Sequence, residues 1–201
     1  MSASISFNPM QTTNATGLFN VNSSGYTQGD AQDDPYIKMQ LCGGVLSSAA
    51  TVPLWGGLPI QEFIPAAGVN ALGSTILQST AIANITGFSV MNQAFGGIVS
   101  AQSTVPLFTP GQSVNFYRLG SGARIPLRIN PALISADGSL ITTQFAWDFT
   151  NQWLTTYVSG TAMPVRVLAI SPAGGNKTVS YSSVTGFANW VNTDVVALCL
   201  I

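Results

Sequence analysis

The chain contains no histidine, and charged side chains make up only 6% of its 201 residues, where about 25% is usual for a soluble domain. The first absence removes the imidazole that Ser/His/Asp and Cys/His mechanisms use as proton acceptor. The second leaves a formal net charge of −1 and a cluster of three arginines, too few to line a nucleic-acid groove, because phosphate affinity grows with each cationic contact. Only two cysteines occur, Cys42 and Cys199. Both sit in apolar strand-like runs, which points to buried free thiols, and a disulfide would need an oxidising compartment that nothing else suggests. Two thiols and scattered carboxylates also lack the ligand spacing of a zinc site, and no cofactor motif is present. Long apolar runs are missing too. Residues 63–117 carry no charge, yet Pro65, Asn70, Gln78, Asn84, Asn92, Gln93 and Pro106 break them well short of the ~20 apolar residues of a membrane helix. The opening MSASISFNPMQ has neither the basic nor the apolar region of a signal peptide, so the expectation is synthesis and assembly inside a cell, away from membranes.

Hydroxyls and amides fill the gap. Ser, Thr, Asn and Gln account for 64 of the 201 residues. A surface wetted by uncharged groups, with so little net charge to keep copies apart, favours association. It reads as a surface meant to be covered.

Residues 1–35 are short of aliphatics and rich in Asn, Ser, Thr and Gly, and predict an extended N-terminal arm ordered where it lies on the body or on a neighbour. The folded body is expected over 36–201, opening with a half-buried strand in which Ile37, Met39 and Leu41 alternate with Tyr36, Lys38 and Gln40. Further strands are predicted at 85–91, 140–149, 153–158, 164–170, 178–184 and 194–201, separated by turns bearing glycine and proline. One helix is possible at 71–83. The fold class is all-β: a single sandwich or barrel of jelly-roll type. TVPLW at 51–55 and TVPLF at 104–108 repeat without a consistent period, as proline-punctuated edge segments of similar chemistry.

The stretch SVNFYRLGSGARIPLRI, residues 113–129, holds Arg118, Arg124 and Arg128, half of the six basic residues. It parses as strand, glycine turn and strand, and predicts a hairpin. The two-residue period places Arg124 and Arg128 on one face, with Arg118 near them across the turn. Like charges so placed repel, and an acidic partner should answer them. One candidate is GDAQDDP, with Asp30, Asp33 and Asp34. That stretch could also donate oxygens to calcium or form a solvated turn, but it lacks the spacing of an EF-hand loop.

Catalysis by paired carboxylates could draw on Glu62, Asp137, Asp148 and Asp194, with Trp147 stacking on a sugar. An isolated Asp at a strand end more simply satisfies a turn. Of the four tryptophans, Trp55, Trp147, Trp153 and Trp190, core positions are the expectation, since QFAWDF alternates Phe145, Trp147 and Phe149 onto one face.

The segments ITGFSVMNQAFGGIVSAQSTVPLF and GQSVNFYRLGSGARIPL, within residues 85–127, resemble structural proteins of tailed-bacteriophage virions, in particular capsid decoration (cement) proteins. The likeness is one of texture: histidine-free, charge-poor β sequence behind a polar arm. It implies a non-enzymatic protein that docks in many copies on the major capsid protein at the virion exterior, as a homo-oligomeric cluster such as a trimer, and bridges capsomers. The arginines and Asp30, Asp33 and Asp34 would then be partner contacts. A tail or fibre component, or a lectin-like glycan-binding module, is the alternative.

Overall fold

The computed structural model describes residues 11–13, 23–31, 35–64, 74–91, 103–136 and 138–201. Its strands are β1 (Gln11–Thr13), β2 (Ser23–Tyr26), β3 (Cys42–Leu46), β4 (Pro59–Phe63), β5 (Ser74–Gln78), β6 (Gly87–Ser89) and β7 (Ser113–Arg118) in the first part of the chain. They continue with β8 (Arg124–Ile129), β9 (Phe145–Asp148), β10 (Trp153–Thr156), β11 (Arg166–Ser171), β12 (Thr178–Tyr181), β13 (Ala188–Val191) and β14 (Val195–Leu200). The fold is all-β, as the sequence predicts.

Five strands close into a barrel in the order β3-β5-β4-β6-β7, and five others form a sheet in the order β11-β14-β8-β10-β9. Two ribbons, β1-β2 and β12-β13, complete the assembly. The barrel interior is filled by Leu46, Ile60, Ile76, Val114 and Phe116, continuous with Leu54, Val105 and Phe108. A second core lies between the barrel wall and the sheet, where Phe88 and Tyr117 meet Ile125, Leu127, Trp147 and Cys199. Phe88 packs edge-on against Trp147 with ring centroids 5.8 Å apart.

This double burial overturns the expected hairpin at 113–129. Both strands form, but β7 pairs with β3 and β6, and β8 pairs with β14 and β10. The reason is that β7 is covered on both faces: Val114 and Phe116 point into the barrel, Tyr117 into the second core. A two-stranded hairpin could not cover both. The glycine turn therefore hands the chain from barrel to sheet, and Gly122 N and Ala123 O bond to Ile201. The apolar β14 lies inside the sheet between β11 and β8.

Two local expectations also change. Residues 36–41 do not form a strand: Pro35–Lys38 is a single helical turn, α1, followed by three-residue backbone bonds from Met39, Gln40 and Leu41. Proline suits the first helical position; Ile37 and Leu41 pack against the second core, but Met39, between them in the alternation, faces solvent with Tyr36, as a helical turn and not a strand requires. Within 71–83, Ser74–Gln78 is a strand, β5, held between β3 and β4, because its Thr75 and Ile76 fit a paired, pleated surface better than an isolated helix; only a short 3-10 turn at Ile82–Asn84 is helical. The two TVPL copies meet: Leu54 and Phe108 exchange both backbone hydrogen bonds, at 2.9 and 2.8 Å.

Candidate functional site

Residues 25–31, within the expected arm, cross the junction of all these parts. Gln28 N bonds to Lys177 O on the approach to β12, Gly29 N to Pro126 O on β8, and Met91 N, just past β6, to Gly29 O. The Gln28 side chain is buried, and its Oε1 accepts from Val179 N at 3.1 Å. The strap therefore fastens barrel, sheet and ribbon together. Asn176, also buried, anchors its start. Asn176 Oδ1 accepts from Tyr26 N at 2.9 Å, and Nδ2 reaches the carbonyls of Ser171, Pro172 and Asp194 at 3.0, 2.9 and 3.0 Å. Sequence reasoning passed over Gln28 and Asn176, because one polar residue among 64 of its kind gives no signal of burial.

The three arginines of 113–129 do not form one cluster. Arg118, at the end of β7, makes a two-pronged contact with Glu62 of β4, at 2.8 and 3.0 Å. That hydrogen bonding raises the guanidinium pKa and, against the effect of burial, holds the Glu62 carboxyl below its ordinary value, with Ser74 also donating to it. Arg128 lies on β8. Its Nε sits 2.9 Å from Asp194 Oδ2 without hydrogen-bond alignment, its guanidinium lies 5.0 Å from the Trp153 ring centre, and Nη1 donates to Asn151 O. Asp194 Oδ2 also accepts from the Thr178 hydroxyl at 2.7 Å. Arg124 and Arg128 do share a face of β8, opposite Ile125, Leu127 and Ile129. Acidic partners answer two of the arginines, but they come from this chain's own sequence-distant segments, Glu62 from β4 and Asp194 from the bend before β14.

Asp30 is half-buried in the strap. Burial pushes its carboxyl up to about 6, against the pull of Lys177. Asp33 and Asp34 lie outside the described residues, as does Asp137. Asp148 closes the β9-β10 turn, with Oδ1 accepting from Thr150 N and Asn151 N and Oδ2 from Asn151 Nδ2. Burial opposes its ionisation, but these hydrogen bonds outweigh it and lower the pKa. Each described Asp and Glu side chain is thus engaged by a neighbour in the fold.

Cys199 is buried, and burial raises its thiol pKa. Cys42 is half-buried at an open cup of about 270 Å³ that Arg118 and Gln40 also line. Trp55 and Trp147 are buried, Trp153 is half-buried under the Arg128 guanidinium, and Trp190 is half-buried. A shallow apolar groove of about 310 Å³ runs beside the paired TVPL segments, lined by Val52, Pro53, Leu107 and Tyr181.

The class defined by these features is an all-β protein with a closed barrel and a polar surface, whose charges are mostly spent internally. The chain matches no protein-family model, no curated protein and no solved structure.

Proposed function

We propose that this chain is a non-enzymatic structural protein of a tailed-phage virion, docking on the outer face of the capsid shell and bridging its subunits. The observation that carries the reading is a surface built to be covered. Six large apolar side chains, Tyr36, Met39, Ile64, Leu140, Val158 and Val184, are each more than 70% exposed, in a chain with only 6% charged residues. Single exposed apolar residues are ordinary on any protein. Combined with so few charges they favour contact, because amides and hydroxyls exchange hydrogen bonds across an interface without the desolvation cost of ions. Burying each such apolar side chain adds about 1.5–3 kcal/mol before the entropic costs of docking.

Four tryptophans that are all buried or half-buried give no support to the glycan-binding alternative. The test is the copy number of this chain in purified particles from its source, by quantitative gel against the main shell protein. Copies on the order of hundreds, as symmetric shell docking requires, support the reading. A dozen or fewer would place the chain in the tail, and absence from particles would reject a virion role.

A further inference from the structure

The cross-strand register of the five-stranded sheet puts two arginines in one row. Arg166 of β11 stands directly opposite Leu200 of β14, and Leu200 stands opposite Arg124 of β8. Directly paired residues share a face. The face is the outer one, because Ile125, Val167 and Cys199 of the next row point into the core. Two inter-strand spacings separate the arginine Cα atoms by roughly 10 Å. Arg124 and Arg166 are exposed, and Leu200 between them is half-buried.

The other charges sharpen the contrast. Arg118 and Arg128 hold Glu62 and Asp194, and Lys177 faces Asp30. Asp148 is taken up by its own turn. Among the described residues, no side-chain carboxylate is left over for Arg124 or Arg166, and neither makes a hydrogen bond or ion pair. At this separation the two exposed guanidiniums repel each other only weakly, so both stand free to take an anion.

We propose that the Arg124–Leu200–Arg166 row is a docking surface for an acidic segment of a partner protein, each guanidinium taking a carboxylate and Leu200 an apolar side chain between them. Charge complementarity selects the partner. A guanidinium matches a carboxylate in planar, two-pronged geometry. Extended chain places same-face residues about 7 Å apart at i and i+2 and about 13 Å apart at i and i+4, which brackets the arginine spacing. The shell-docking reading identifies where such a segment is met, but the chemistry of the row does not depend on it.

The experiment titrates hexaglutamate into the isotope-labelled full chain at low salt and follows backbone amide shifts. The largest shifts are expected at Arg124, Leu200 and Arg166, fading at about 0.5 M salt. The double variant Arg124→Gln/Arg166→Gln should weaken binding about tenfold, two surface ion pairs' worth, and each single variant by about threefold. Shifts centred elsewhere, or a double variant that binds as well as the parent, would overturn the proposal. So would tighter binding of a thymidine oligonucleotide of equal charge, which would assign the row to nucleic acid. Absence of the chain from particles would reject the virion role while leaving a positive peptide result standing, so the two failures are distinguishable.

Discussion

Asp30 shows how a single side chain can carry opposite meanings in sequence and in structure. In GDAQDDP it reads as a solvated acidic contact, but the strap carries it into the junction beside Lys177, where burial raises its carboxyl pKa from 3.8 to about 6. The folded chain then holds a proton that the unfolded chain gives up. Its stabilising effect is fully present below about pH 4 and is lost as pH rises through about 6. Between pH 5 and 7.5 the loss is expected to be about 1 kcal/mol from this group. Glu62 acts in the opposite sense at lower pH, since its depressed value makes stability fall on acidification. Urea unfolding across pH 5–7.5 should therefore slope downward for the parent and run flat for Asp30→Asn. A slope retained in the variant would show that Asp30 is not its source. Arg166 is the converse case: PVRVLAI marks a strand with one exposed cation, but no local signal places that cation in line with Arg124.

At the scale of elements, the strap is the part whose loss should matter most. Gly29 has φ +78°, and a Cβ there would lie 2.3 Å from the Gly56 carbonyl carbon. The neighbour is backbone and has no easy way to move. Gly29→Ala is expected to cost about 3 kcal/mol or more, against about 1 kcal/mol for Gly111→Ala, where φ is also positive but the space is open. Equal losses for the two in thermal unfolding would mean that the strap is not the clasp its hydrogen bonds describe. The strands themselves were largely legible: β6, β7, β8, β9, β10, β11, β12 and β14 fall within or overlap runs read from alternation and turn residues. β4 and β13 were missed because PIQEF and ANWV are short and mix polar with apolar residues, so their strand character comes from their neighbours.

For the whole molecule, the two cores share a wall. β7 sends Phe116 into the barrel and Tyr117 toward the sheet, so neither core can open without exposing the other's side chains. Unfolding is expected to be a single transition. Phe-for-Trp variants that leave only Trp55, in the barrel core, or only Trp147, in the sheet core, should report the same urea midpoint, and separate midpoints would divide the chain into two units. Composition alone excluded imidazole chemistry and set a charge-poor coat of hydroxyls and amides, because residue type sets what can be protonated, paired or wetted regardless of where it sits. Alternation along the chain located most strands, since the two-residue period is a local property. Strand partners were decided only by the tertiary structure: β7 and β8, five residues apart, part company because each needs cover on faces that the other cannot supply. The same long-range pairing determined which arginines found an acid and which two were left side by side on the sheet.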